Sequence, residues 1–451
     1  MTPVLRRLLT GRLGGALLLL LAVALPAAAQ QDEGDEVDIV LSRGQRAKVR
    51  LAFPAAARPP VPPPEAERAI DELEATLRND LELSGIFDVA GPAELSAARI
   101  TGERDRDFEQ YRALGNEVVL LAEVELDGDK LVLEGMVHDL ASKSFILGKS
   151  YTATFDLART VAHTFSDEVV LYFSGRRGIA LTAIAFTSNR DDPTGLNKEL
   201  YLMDYDGFDQ RRISGHQSLT LAPDWAPDGE DLAYVSFYQG PASIYRVERA
   251  TGAKREVLVD DVMSASPSFS PDGSRVALAR SVDGNVEIFT VGRDGGSLQR
   301  LTNSGGIDMN PAWSPDGRQI AFTSSRSGSP QIYLMDVDGS NVRRVTLQGG
   351  YNDGAAWHPD GTRFTYSKRT RDGSRFDVAV LDLGTLEEAV LTQGPGSHEH
   401  PGYSPDGSFI VFESSRAGGR QIFVINEDGG NLRQLTNRGS NFAPSWSPYL
   451  E

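Results

Sequence analysis

One pentad, Trp313-Ser314-Pro315-Asp316-Gly317, constrains this chain more than any other feature, because it is written repeatedly. Related pentads stand at Trp225–Gly229, Phe269–Gly273, Trp357–Gly361 and Tyr403–Gly407, and a damaged copy, Trp446-Ser447-Pro448, lies close to the C-terminus. From aromatic to aromatic the spacings are 44, 44, 44, 46 and 43 residues. A period in the forties with several short strands per unit is the signature of propeller blades. Six aromatics predict six blades.

The physics of one repeat supports this. Pro315 presets φ for the first corner of a turn, Asp316 can bond the backbone beyond it, and Gly317 supplies a positive φ. Arg318–Thr323 then alternates, with Ile320 and Phe322 on one face, as a half-buried strand does. Gln331–Met335 is a second β-rich run, Asp338-Gly339 is a hairpin signal, and Val342–Thr346 follows as a third strand. The strand that carries the next aromatic makes four per repeat. The aromatic itself is expected between adjacent blades, where a large flat side chain buries most area.

The ends of the array predict how the ring closes. After Trp446-Ser447-Pro448 only three residues remain, so the last blade lacks its following strands. They stand at the start instead: Ile184–Ser188 matches Ile320–Ser324, and Tyr201–Asp204 matches Tyr333–Asp336. One blade is therefore expected to be shared between residues near 184 and the C-terminus, which protects the edges of an open ring.

Upstream of the repeats the pattern changes. Arg6, Arg7 and Arg12 precede the apolar run Leu13–Leu25, and Ala27-Ala28-Ala29 offers a small-residue cleavage site, so residues 1–29 read as a cleaved export signal. The run is too short to span a membrane, and with no cysteine in 451 residues neither lipid attachment, disulfides nor thiolate metal sites are expected. Residues 30–41 read as an arm. Within 36–174, helices expected after Pro64, around Phe108–Leu114 and over Leu157–Val169 alternate with strands at Val37–Leu41, Lys48–Phe53, Val118–Leu126, Leu131–His138 and Phe145–Thr152. The fold expected is a small α/β domain followed, over 175–451, by a six-bladed β-propeller of four-stranded antiparallel blades.

Chemistry is sparse. The formal charge is −18, and the export signal carries three arginines and no acid, so the exported body is more acidic still. That argues against nucleic acid or anionic membrane as a general partner. No serine has glycine at both −2 and +2, and neither a Walker loop nor a dinucleotide-type glycine fingerprint is present. His138 and His163 read as packing or surface residues. His398-Glu399-His400 is the one metal-like cluster, but a site needs further ligands. Asp336-Val337-Asp338-Gly339 and its counterparts resemble the opening of a calcium loop without its terminal glutamate, and read as hairpin turns. No cofactor or metal is assigned, although acidic side chains converging on the channel leave a cation such as calcium open there.

One set of segments invites a functional reading. Each aromatic is preceded by a variable stretch: Ser218–Asp224, Met263–Ser268, Gly306–Ala312, Tyr351–Ala356, Ser397–Gly402 and Ser440–Ser445. Read as loops ringing one mouth of the channel, they carry Asp308, Asn310, Asp353, His398 and Glu399. Variable loops on a regular scaffold are how repeat proteins build binding surfaces.

The whole layout resembles the TolB family of the Tol-Pal system. The resemblance rests on the export signal, the arm Glu36-Val37-Asp38-Ile39-Val40, the helix end Asp80-Leu81-Glu82-Leu83-Ser84-Gly85-Ile86-Phe87, the propeller opening Ile184–Ser188, the Ser-Pro-Asp-Gly repeats and the ending Pro444–Leu450. It implies a periplasmic, non-enzymatic, monomeric scaffold that binds the peptidoglycan-associated lipoprotein at the propeller mouth and TolA through the arm, in outer-membrane integrity and cell division. On this chain the lipoprotein face would include Met263, Met309, Asn310, Asp353 and Glu399, and the TolA epitope Glu36, Val37, Asp38, Ile39, Val40 and Leu41. Asp38 departs from relatives that carry a basic residue there. The competing readings are an exported propeller enzyme, a hydrolase or a lyase using His398 and His400, and a glycan-binding module at the channel mouth.

Overall fold

The computed structural model describes residues 48–450 apart from 99, 100 and 102. The export signal (1–29) and the arm (30–41), with Glu36 to Leu41, lie outside the described residues.

The first part is built from β1 (Val49–Ala52), α1 (Pro64–Leu83), β2 (Phe87–Ala90), α2 (Pro92–Leu95), α3 (Arg104–Ala113), β3 (Val118–Asp127), β4 (Lys130–Asp139), β5 (Phe145–Thr154) and α4 (Ala158–Ser174). The sheet order is β2-β1-β3-β4-β5, with β1 parallel to both neighbours and β3, β4 and β5 an antiparallel meander. Pro64 opens α1, where a missing N–H costs nothing. Ile70, Leu73, Leu77 and Leu81 then recur at helical spacing, and all four are fully buried against the sheet together with Val161, Phe165 and Val169 of α4. Each such side chain contributes about 1.5–3 kcal/mol by leaving water, so this stripe fixes how both helices lie. Only β2 and α2 were not legible. Phe87 reads as the close of the preceding helix, yet it pairs with Val49 at the sheet edge.

Residues 183–446 supply six four-stranded sheets. Their innermost strands, Thr220–Trp225, Ser264–Phe269, Asp308–Trp313, Asn352–Trp357, His398–Tyr403 and Asn441–Trp446, contact one another in a closed ring. The last of these pairs with Ala183–Ser188, Asn441 facing Ser188 and Trp446 facing Ile184, so the shared blade closes the ring as the repeat alignment predicts. One detail differs from the sequence reading: a blade takes its own aromatic strand, as Trp313 pairs with Ile320, rather than the next. A second is that the expected outer strand Val342–Thr346 ladders only at Arg343 and Arg344, where the sheet ends at solvent.

The pentad turn is built as its residues require. Arg318 N–H donates to Asp316 Oδ1 at 3.1 Å, Ser314 Oγ donates to the same oxygen at 2.6 Å, and Gly317 takes φ +70°. The aromatics that end the inner strands do stand between blades. Trp446 joins a core made from its own blade (Ile184, Phe186, Tyr201) and the preceding one (Phe409, Val411, Ile422). Trp225 Nε1 donates to Ser445 O at 3.1 Å and Trp357 Nε1 to Ala312 O at 3.0 Å, each a bond to the neighbouring inner strand.

Antiparallel meanders sort the turns onto two faces. The Ser-Pro-Asp-Gly and Asp-Gly turns share one, and the α/β domain sits on it. Arg433 Nη1 donates to Asn79 Oδ1 at 3.1 Å, Asn79 Nδ2 to Asp206 Oδ2 at 3.2 Å, and Leu83 enters the core of the shared blade. The connections that lead into the inner strands lie on the opposite face.

Trp446→Ala is expected to cost about 3–5 kcal/mol by the cavity it leaves, read as a lower urea midpoint. Trp313→Ala should cost less, because Trp313 is only half-buried and its Nε1 has no partner. Equal losses would show that ring closure is not where the aromatics matter most.

Candidate functional site

The segments read as mouth loops are strands. Each inner strand follows one six-residue pattern whose fourth position is Pro223, Pro267, Pro311, Pro401 or Pro444, with Ala355 in the remaining blade. Proline has no N–H for the ladder, so the strand bulges there. The register shifts between Met309 and Ala312, and at the matching place in all six sheets. The third position takes a positive φ throughout: Ala222 49°, Ser266 50°, Asn310 51°, Gly354 66°, His400 53° and Ala443 45°.

This bulge decides which predicted residues face the channel. The first position of every strand points into its own blade and is fully buried, and Asp308 and His398 both occupy it. Asp308 accepts from Ser324 Oγ at 2.5 Å and pairs with Arg326 at 2.8 Å. His398 packs on Phe412, with neither ring nitrogen hydrogen-bonded and Asp377 Oδ1 4.0 Å away. Burial pushes its imidazole down to about 4, so it is neutral. As mouth contacts, Asp308 and His398 are therefore corrected: no partner can reach them in this fold. His398 and His400 do not share a face either, because the i, i+2 rule of a flat strand fails across a bulge.

The structure does bring Asn310 and Asp353 together. Ser266 Oγ donates to Asn310 Oδ1, Asn310 Nδ2 to Asp353 Oδ1, and Thr323 Oγ1 to Asp353 Oδ1, each at 2.7 Å. The chain of bonds crosses three consecutive inner strands. Around the ring, Glu399 accepts from Ser397 Oγ at 2.9 Å and pairs with Arg420 at 2.8 Å. Arg420 also meets Glu413, which accepts Ala443 N–H at 2.7 Å and lies 3.3 Å from His400 Nδ1. Burial opposes the His400 imidazolium, but Glu413, then Glu399 and Asp353, raise it to about 9. Burial alone would raise Glu413, and His400, Arg420 and the Ala443 N–H outweigh it and pull it down to about 2.

Met309 and Met263 are half-buried, Met309 in its inner strand and Met263 just before the next one in sequence order upstream. Sequence reasoning missed the apolar side chains on the connections beside them. Leu196, Tyr238, Ile307 and Leu347 are exposed on this face, from four different places around the ring. Tyr238 rests edge-on against buried His216, ring centroids 4.7 Å apart. An apolar residue standing out of a polar connection is the signal that would have found them.

Among the described residues, Asp80, His163 and Asp206 are the group with three ligand-type atoms within 4.8 Å of one another. The Arg159 guanidinium already fills the place of a cation, 3.2 Å from His163 Nε2 and 3.0 Å from Asp206 Oδ2. The trio lies where the α/β domain meets the propeller. His163 is a packed residue, buried against Tyr205, and it adds a hydrogen bond to Asp80.

Comparison with known proteins settles the lineage. The TolB beta propeller domain family matches residues 172–450, and the TolB amino-terminal domain family matches 37–145. The chain belongs to the TolB family. Among curated relatives, the Tol-Pal system protein TolB of Syntrophotalea carbinolica is 37% identical over 164 residues, 36% of this chain and 37% of the relative. That of Xanthomonas oryzae pv. oryzae is 33% identical over 244 residues, 54% of each chain. These alignments take in well under two thirds of the relatives' own length. The crystal structure of TolB from Acinetobacter baumannii has the same fold, with a TM-score of 0.78 at 24% identity over 90% of this chain and 98% of that one. No described helix is long and apolar enough to cross a membrane.

In this TolB-family channel the His400–Glu413 pair should be charged at neutrality. A histidine raised in the fold adds stability that is complete below its ordinary 6.5 and lost as pH rises through about 9. Glu413 adds stability complete above its ordinary 4.5 and lost as pH falls through about 2. The His400 Cε1–H resonance is expected to stay flat from pH 6 to 8 and to titrate there in Glu413→Gln. A wild-type midpoint near 6.5 would remove the pair from the account.

Proposed function

We propose that this chain is a periplasmic, non-enzymatic adaptor of the Tol-Pal system that binds the peptidoglycan-associated lipoprotein at the free mouth of its propeller. The carrying observation is the placement of the α/β domain. It covers the turn face of the propeller, while the opposite face presents Leu196, Tyr238, Ile307 and Leu347 around a rigid polar channel. A tyrosine pinned on a buried ring, with aliphatic neighbours, is the kind of anchor that carries binding energy in a protein interface. Met263, Met309, Asn310 and Asp353 supply the half-buried rim and channel wall of that surface, with buried Glu399 behind them. Asp308 and His398 hold the strands behind it.

The arm, Glu36 to Leu41, is proposed to engage TolA, with the α/β domain connecting arm and propeller. The acidic charge of the chain and the absence of a nucleophile motif support a monomeric scaffold acting through protein contacts in outer-membrane integrity and division. The curated relatives carry a system name and no reaction.

Calorimetric titration of the exported chain with the peptidoglycan-associated lipoprotein tests the reading. Saturable binding is expected, weakened about tenfold or more by Tyr238→Ala and unchanged by Val342→Ala, which is exposed beyond an Asp-Gly turn on the covered face. Removing residues 30–41 should leave lipoprotein binding in place. No binding by the full or the shortened chain would overturn the proposal.

A further inference from the structure

The junction between the α/β domain and the propeller holds more buried negative charge than its fixed cation can balance. Asp80 of α1 accepts three bonds: from Tyr205 OH at 2.8 Å, Ser166 Oγ at 2.7 Å and His163 Nδ1 at 2.8 Å. Asp204 and Asp206 arrive from the Asp-Gly turn of the shared blade and meet Arg159 at 3.1 and 3.0 Å. Asp167, one turn beyond His163 on α4, accepts the Ala180 N–H at 3.0 Å and so ties α4 to the segment that leads into the propeller. A Cβ on Gly178 would lie 2.0 Å from Asp167 Oδ1, so the linker must have glycine there to let the carboxyl in. Four carboxylates thus surround one guanidinium and one imidazole. Arg176, Arg177 and Glu168 line the adjoining clefts, Arg177 stacking on Tyr449 at 4.2 Å, and Asp406 faces the cleft from the propeller.

We propose that this junction is a proton-sensitive latch, in which docking of the α/β domain on the propeller takes up protons on His163 and Asp167. Both groups shift the same way. Burial raises Asp167 to about 6, opposed by the Ala180 N–H, helped by Asp80, and opposed again by His163 and the Leu181 N–H. Burial works against protonated His163, but Asp80 and then Asp206 outweigh it and raise the imidazole above its ordinary value. A group whose value is higher in the docked form favours docking at low pH and ceases to as pH rises through the docked value. The latch therefore tightens toward acid and loosens as pH climbs past about 6.

The chain has no cysteine, so two can be introduced cleanly for dyes. Exposed Ser142 on the α/β domain and exposed Ser340 on the propeller are suitable sites. Energy transfer measured on the full exported chain from pH 5 to pH 8 is expected to report a growing open population as pH rises. Asp167→Asn and His163→Gln should each flatten that response, and the pair should nearly abolish it, with far-ultraviolet dichroism confirming that each variant is folded. A wild-type distance distribution unchanged between pH 5 and 8 would overturn the latch. So would a pH response that survives intact in the double variant. The wild-type titration stands by itself even where a variant does not fold.

Discussion

Ring closure is the constraint on which the rest of this molecule depends. A propeller blade has two sheet faces, and each is buried only if a neighbour stands on either side. Asn441–Trp446 pairing with Ala183–Ser188 turns six blades into a ring with no end blade, and the aromatic ending each inner strand fills the wedge between two blades. Leu83, from the end of α1, enters the same closing core. Closing the ring and seating the α/β domain are thus linked in one core, and the junction falls on the shared blade and the blade before it.

Closure also fixes the channel. With the inner strands held in contact, side chains of neighbouring blades approach within hydrogen-bonding distance and bond across the ring, as Ser266, Asn310 and Asp353 do. Elsewhere opposite charges alternate, so Glu399, Arg420, Glu413 and His400 satisfy one another in a confined space. Buried polar groups held in this way rigidify the wall they form. The mouth is then a stiff rim carrying a few exposed apolar side chains, which suits recognition of a protein surface better than turnover of a small molecule.

The two titrating regions respond in different ways because their charge balance differs. In the channel Glu399 and Glu413 have cations beside them, and His400 and Glu413 are pushed apart into a charged pair. At the domain junction acids outnumber cations, and the surplus can be relieved only by taking up protons or by moving the domains apart. One region is built to stay as it is, and the other has a reason to move.

What the sequence determined by itself was whatever depends on local chemistry and on repetition. The period of the aromatics set the number of blades, the Ser-Pro-Asp-Gly turns set where strands reverse, and the 184–188 match set the closing blade, because turn geometry and strand alternation act over a few residues. The stripe Ile70, Leu73, Leu77 and Leu81 likewise announced its helix. The direction of the inner-strand side chains was not legible, although the recurring proline two residues before the aromatic carried the signal. A bulge changes which of His398, Glu399 and His400 faces the channel, and its outcome depends on the neighbouring strand as much as on the proline. The bonds of Asp80 were beyond reach for a plainer reason: His163 is 83 residues away and Tyr205 is 125. Packing of α1 on α4 brings His163 to Asp80, and docking of the α/β domain on the closed ring adds Tyr205, so both are properties of the packed cores rather than of any stretch of chain.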